Sequence, residues 1–551
     1  MKKLFLIPLI VLLAVSLVLG SCAEPAPTPA PTPTPTPTPE PRPTPAPEKP
    51  APVIEPAPVI EPPPAPPTGT LRATTPAWIE TLDPILQTTF EYAIYEHLIG
   101  RDIEGNFVGE LATDWSISDD GLTWTFNIRE GITFHNGDPF TSADAKFSIE
   151  RIMQEGSMSP WVGEYTDTIA SMETPDDYTL VIHCNLVNYF FYASIWGCPM
   201  VPKNYIEEHG DEYFNEHPVG TAPWKFVELV PGVRIEFEAV VDHWRITPDF
   251  ANLIVELVPE SSTALAKLRN EETDIVAVNS DEALEVQAEG YGLRTLGNPS
   301  VPVITMLGTW ASDGPLSDVR VRKALSLAIN RQEMIDTFFN GLAELGGVIW
   351  TNPTSWGYDP TWITTYFQYD EAAAMERLRA AGYPDAFDDP VVKIYSHGFP
   401  AWLPDFNLII SGYWEAIGVQ TQVEPIDMGQ LRGLMYTDPY PPDLAGTASV
   451  WNMPTTPISI AFVESAHKST GNWRLLMDTE WDALHASIKT APDQDQQLNL
   501  FRQTIEYTLD LYVCPGVVYL FPYYAVSDEI GEFTLQYQYD LWGNFAGIKK
   551  K

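Results

Sequence analysis

The residues best able to do chemistry are nine histidines, four cysteines and 74 acidic side chains. Their spacing argues against a metal or catalytic centre. His209 and His217 stand eight apart around an acidic segment. There is no His-Glu-x-x-His and no pair of histidines one helical turn apart, so no metal ligand set is expected. No Gly-x-Ser-x-Gly elbow, phosphate loop or Cys-x-x-Cys pair is present, so neither an enzyme nor a cofactor is expected. Phe134-His-Asn-Gly137 carries a histidine that would serve as ligand or base, but the stretch reads as a strand and turn with Gly137 and Asp138 at the bend. Gly220, Thr221 and Pro223 read as a tight turn and not as a phosphate cradle. The seventeen tryptophans are the informative residues. A flat aromatic offers large apolar area with few rotamers to lose, which suits a binding pocket.

Those side chains are carried by alternating strands and helices. Leu122–Ile128, Tyr178–Ile182, Val233–Val240, Leu253–Val258 and Asp274–Val278 have strand patterns between turn residues. Ser317 or Asp318 can cap a helix with Val321, Ala324, Leu325, Ala328 and Ile329 on one face. Asp370 opens a helix over Glu371–Ala381 that Gly382 stops. Asp405–Ile417 is a third helix, followed by Gly418 and the alternating Val419–Val423. This alternation indicates α/β lobes. At 551 residues the chain exceeds one ordinary domain. Its net charge of −43 excludes nucleic acid as a partner and is compatible with a solubilising surface or a cationic solute.

The N-terminal part is different in kind. Lys2 and Lys3 precede the apolar run Leu4–Leu19, which is short for a membrane span. Leu19-Gly20-Ser21-Cys22 then resembles the bacterial lipobox. That resemblance implies a lipoprotein signal peptide over 1–21 and a diacylglycerol on the Cys22 thiol. Residues 22–70 hold the anchor cysteine and a Pro/Thr-rich linker, with Ala51–Pro56 repeated as Ala57–Pro62. Proline fixes φ and removes the donor, so the linker favours an extended stalk of up to about 140 Å. Of the remaining cysteines, Cys184 and Cys198 are close enough in sequence to form a disulfide. Buried free thiols, Cys514 included, are the alternative.

From Leu71 onward a series of segments carries a resemblance. They are Thr81-Leu-Asp-Pro84 with Glu91–Leu98, Glu110-Leu-Ala-Thr-Asp-Trp115, and Ile132-Thr-Phe-His-Asn-Gly137 with Phe140-Thr-Ser-Ala-Asp144. Val219-Gly-Thr-Ala-Pro-Trp224, Asp242-His-Trp244, Asp318–Leu325 and Ala328-Ile-Asn-Arg331 complete the series. In this order they resemble the peptide/nickel-type solute-binding proteins of ABC importers, extracellular solute-binding family 5. The resemblance implies an α/β, two-lobed periplasmic-binding-protein-like fold of type II with an extra subdomain and a hinge between the lobes. Mapped here, lobe I covers 71–304, with the subdomain at 112–215, and returns at 503–551; lobe II covers 305–502. It further implies a monomer outside the cytoplasm, tethered to the membrane through its lipid. Such a protein traps a small solute between the lobes and delivers it to an ABC permease and ATPase complex. A surface sensor or adhesion lipoprotein using the same fold is the alternative.

In that family cleft aromatics enclose the ligand. The positional candidates here are Trp78, Trp196, Trp310 at the first crossing, Trp350 and Trp356 in a lobe II loop, and Trp451 in a C-terminal loop. Peptide-binding members carry an aspartate near Trp451 for the peptide amino group. This chain reads Ser449-Val-Trp-Asn-Met-Pro-Thr-Thr-Pro457, and Asp443 is out of register. An unpaired buried ammonium is costly, so oligosaccharides and metal chelates stand beside peptides as solutes.

Overall fold

The computed structural model describes residues 66–76, 81–86, 89–102, 106–159, 161–295, 298–455, 460–471, 473–533 and 545–551. The signal peptide, Cys22, most of the linker and Trp78 lie outside the described residues. Contacts divide the chain into Met1–Pro63 and Pro64–Lys551, and the described residues all belong to the second unit.

Three sheets organise that unit. A seven-stranded sheet runs in the order Gly292–Thr295, Tyr523–Val526, Ile275–Val278, Thr70–Thr75, Asn252–Leu257, Arg234–Ala239, Trp224–Val230. Thr70–Thr75 lies parallel to Asn252–Leu257, with Leu71 opposite Leu253 and Ala73 opposite Val255. These four share one core with Ile235 and Phe237. On the other face, Val276 and Ala525 pack with Leu265, Leu268 and Val286. Side chains alternate across a strand, so each strand feeds both layers.

The second lobe has a six-stranded sheet, ordered Ala343–Leu345, Val518–Leu520, Ser300–Leu307, Thr447–Pro454, Val391–Ser396, Gln420–Pro425. Ser300–Leu307 pairs antiparallel with Thr447–Pro454 along its whole length. Ile304, Met306, Ala448 and Val450 face the helices Val319–Leu327, Glu371–Ala381 and Leu403–Ala416. Val301, Val303, Leu307, Trp451 and Met453 face a second core with Trp350, Trp362, Trp481 and Phe501. A four-stranded sheet, Ala112–Ile117, Thr123–Ile128, Thr179–Cys184 and Ile169–Asp176, forms the extra subdomain. Its Trp124, Phe126, Leu180 and Ile182 pack with Ala145, Ile149 and Ile152 of the helix Ser142–Ile152.

Helix ends follow local chemistry. The Asp318 carboxylate accepts from Arg320 N–H and the Asp370 carboxylate from Ala373 N–H. Gly382 closes its helix at φ 80°, which glycine adopts without strain.

The expected boundaries shift. The sheet to which the chain belongs changes between Thr295 and Ser300, so residue 304 already lies inside the second sheet. The chain returns to the first sheet between Leu520 and Tyr523. Residue 503 falls within the helix Gln494–Leu511, whose Phe501, Ile505 and Leu509 fill the second lobe's core. The subdomain core closes by Met200, while Ile206 and Phe214 pack in the first lobe.

Cys184, Cys198 and Cys514 are all free and buried, so Cys184 and Cys198 form no disulfide. Cys184 and Cys198 pack as small apolar residues, and the Cys514 sulfur lies 3.3 Å from His467 Nε2. Burial raises the Cys184 thiol to about 11 and the Cys514 thiol to about 12, so neither is a poised nucleophile.

Candidate functional site

The chemically loaded histidines are structural. His135 faces the Ala222 carbonyl through Nε2 at 2.8 Å, and burial holds its imidazole down at about 4, neutral at ordinary pH. Its backbone N–H donates to the Gly220 carbonyl at 2.9 Å. Gly220 is needed there because an added Cβ would collide with the Ile94 carbonyl. His209 and His217 flank Tyr213 in a surface stack, with Tyr213 and His217 ring centres 4.2 Å apart. Among the described residues no group of histidine, cysteine and carboxylate side chains is placed to hold a metal.

Space opens between the lobes instead. A cavity of about 520 Å³ lies where the chain crosses from one lobe to the other. Both crossings form its wall, through Asn298 and Ser300 on one and Phe521 and Pro522 on the other. Asn279, Ser280 and Asp281 come from the first lobe; Phe338, Trp402, Asp405 and Asn452 come from the second. Asn279 caps the helix Ser280–Ala288 by accepting from Asp281 and Glu282 N–H. Asn340 of the second lobe donates to Asp281 at 2.7 Å, which clasps the two lobes at this edge. Asn452 Oδ1 is buried with no hydrogen-bond partner among the described residues. A buried amide oxygen in that state has unused capacity for a donor.

A second cavity, of about 500 Å³, lies between the extra subdomain and the second lobe. Its wall is aromatic: Phe107, Trp115, Trp124, Tyr189, Tyr192 and Trp356. Tyr189 O–H donates to the Pro492 carbonyl at 2.8 Å and Tyr189 N–H to Gln497 Oε1 at 3.1 Å, which joins the two sides. Arg101 Nη2 donates to the Thr354 carbonyl at 3.3 Å beside it.

Two α/β lobes joined by two crossings, with cavities at their junction, are the architecture of a protein that closes on a guest. Residues 106–467 match the family described as bacterial extracellular solute-binding proteins, family 5 Middle. The chain belongs to this family. Among similar proteins, heme-binding protein A of Haemophilus influenzae is 25% identical over 425 residues, 71% of this chain and 75% of that one. Glutathione-binding protein GsiB of Salmonella typhimurium is 26% identical over 360 residues, 64% of this chain and 68% of its own. The fold resembles the crystal structure of the ABC transporter substrate-binding protein CtaP from Listeria monocytogenes, with a TM-score of 0.77 at 20% identity. That likeness covers 88% of this chain and 99% of the other.

Within this family-5 fold the tryptophan candidates separate. Trp356 lines the aromatic cavity. Trp350 and Trp451 are nearly buried in one core and meet through Trp473, at ring separations of 6.0 and 5.7 Å. Trp451 also lies 4.5 Å from the His397 ring and 5.9 Å from the Arg432 guanidinium. It stands on the central strand Thr447–Pro454 and not in a loop, because Thr447 to Trp451 continue a buried ladder. Trp196 is half-buried, stacked near Tyr92 at 6.5 Å. Trp310 is not at the first crossing. Ser300–Leu307 carries the chain about 23 Å away from it, and Trp310 packs against Tyr440 and donates to the Arg474 carbonyl at 3.1 Å. Sequence reasoning missed Asn279, Asn298, Asn452 and Phe521. Asn279 alone left a local signal, the Asn-Ser-Asp-Glu capping box.

Proposed function

We propose that this chain is the solute-capturing subunit of an ABC importer. It holds a small organic solute, peptide-like or glycosidic, between its lobes and presents the closed form to a permease and ATPase complex. The carrying observation is the cavity whose wall contains both crossings and residues of both lobes. A solute there touches the two bodies at once, so its binding favours the closed population that a permease distinguishes. The relatives named for heme and glutathione differ in ligand, and their names do not fix this one. In the hinge-side cavity Asp281 and Asp405 supply carboxylates to a solute amine, although no acid follows Trp451 up to Thr455. The protein works as a monomer and catalyses nothing.

A panel of peptides, neutral oligosaccharides and metal chelates, followed by melting temperature and tryptophan fluorescence, tests this reading. The expected result is saturable stabilisation by one class, about 2.7 kcal/mol at a hundredfold excess over Kd. Turnover of a panel member without saturable stabilisation would sink it.

We further propose anchoring through an acylated Cys22 on the outer face of the membrane. Among the described residues no helix is long and apolar enough to cross a membrane. The charged start, apolar run and Leu-Gly-Ser-Cys tetrad support the lipid. Cells fed labelled palmitate should label the wild-type protein and leave Cys22→Ala unlabelled and shed from membranes. Equal labelling of both would refute the anchor.

A further inference from the structure

We infer that the aromatic cavity binds an uncharged carbohydrate ring of the solute. This rests on the solute-capture reading and narrows its ligand class. The wall is built from rings at mutually supporting angles. Trp115 stacks on Tyr192 at 5.4 Å and 27°, and Trp356 stands edge-on to Phe107 and Tyr192 at 5.4 and 5.5 Å. Trp115, Tyr192 and Trp356 are each partly exposed, so part of every ring stays open to the cavity although Trp115 and Tyr192 also pack on the subdomain core. Around them stand neutral hydrogen-bonding side chains, Asn106, Ser116, Thr354 and Gln494, all exposed at the rim.

Among the described residues no aspartate, glutamate, lysine or arginine lines this cavity, in a chain with 74 acidic and 31 basic residues. That composition discriminates between guests. A charged group entering would lose hydration against a lining that carries no charge of its own; the neighbouring Arg101 guanidinium is fully buried, over the Phe107 ring and bonded to the Thr354 carbonyl. A purely apolar side chain would stack well but strip water from amides and hydroxyls without replacing it. A pyranose has C–H faces for the rings and outward hydroxyls for the rim, so it satisfies both. The volume, about 500 Å³, lies in the range of ordinary ligand pockets. Thr354, Trp356 and Gln494 come from the second lobe and the other lining residues from the first, so a ring held here also draws the lobes together.

The test uses the full chain, neutral oligosaccharides of two to four hexoses in several linkages, and uncharged di- and tripeptides bearing phenylalanine or tryptophan. Calorimetry should show at least one oligosaccharide binding saturably. Trp356→Ala should weaken that binding about tenfold or more, while Trp356→Phe, which keeps an aromatic face, stays within about threefold. Far-UV circular dichroism checks that both variants fold, and Tyr192→Ala gives a second probe of the same wall. Peptide binding that Trp356→Ala leaves intact, with no sugar bound, overturns the carbohydrate assignment and leaves solute capture standing. Sugar binding unaffected by both alanine variants places the ring elsewhere and also overturns it. Failure of every solute class to stabilise the protein is instead the failure of the capture reading.

Discussion

Arg245→Met should cost about 3–5 kcal/mol of stability, because it strands two buried carboxylates. Arg245 Nη2 lies 3.0 Å from Glu96 Oε1 and 3.3 Å from Glu110 Oε1, and each glutamate is only 1% exposed. Trp244 Nε1 donates to the other oxygen of Glu96 at 3.0 Å, and the His97 N–H donates to Glu110 at 3.3 Å. The two acids respond oppositely. Burial raises the Glu96 carboxyl, but Arg245, His243 and Trp244 outweigh it and bring it down to about 2. Burial raises Glu110, the Glu96 charge adds to that, and the pull of Arg245 and His97 does not cancel them. Glu96 therefore contributes stability that is present above the ordinary carboxylate range and is lost as pH falls towards 2. Glu110 contributes with the opposite sign: its ionised form costs stability, and protonation on acidification relieves that cost. Urea titrations at neutral pH should show Glu96→Gln destabilising more than Glu110→Gln. In the Arg245→Met background, Glu110→Gln should recover part of the loss. An Arg245→Met protein as stable as wild type would show that this buried charge network does not contribute to the stability of the first lobe.

The strands and helices with regular periods were legible in the sequence because their burial repeats locally. Leu253, Val255, Val321 and Ala324 declare a face within a few residues. Helix limits were legible where a cap made them, as at Asp318, Asp370 and Gly382. Lobe limits were not. The helix Gln494–Leu511 is amphipathic whichever lobe it joins, and only contact with Trp481 and Leu476 assigns it to the second. The site was the least legible part, since its members lie at crossings and strand ends. Asn452 shares its largely buried strand with the polar Thr447 and Ser449, and its value comes from Asn298 and Phe521, more than sixty residues away in either direction. Tryptophan was a sound residue type to favour, but type does not distinguish a core ring from a wall ring. Trp362, Trp414 and Trp481 are wholly buried, while Trp356 faces open space.

The return crossing depends on a contact that no periodicity reveals. Gly516→Ala should destabilise the protein by about 4 kcal/mol or more, in the range reserved for a few severe mechanisms. An added Cβ would run into the Gly347 carbonyl, and that is backbone, so no rotamer change relieves it. Nor can the segment move freely. Val517 N–H donates to the Pro302 carbonyl at 2.9 Å, and Ile304 N–H to the Pro515 carbonyl at 3.0 Å. The Gly516 carbonyl itself accepts from Arg331 Nε and Nη2 at 3.3 and 3.1 Å. Arg331 is buried and faces carbonyls, not carboxylates, and burial lowers its guanidinium to about 10. Displacing Gly516 would therefore remove one of the two residues that accept from this buried guanidinium, leaving Ser326 alone, and loosen the strand Val518–Leu520 that enters the crossing. The contrast is Gly433, in the helix Met428–Met435, where a Cβ meets nothing within 4 Å. Gly433→Ala should stabilise by about 0.5–1 kcal/mol through helix propensity alone. Melting curves of the two variants, read with solute binding, separate the causes. If Gly516→Ala melts with wild type, the Gly347 contact is not rigid. If it melts early and Gly433→Ala does not, close backbone approach sets where the second lobe hands the chain back to the first.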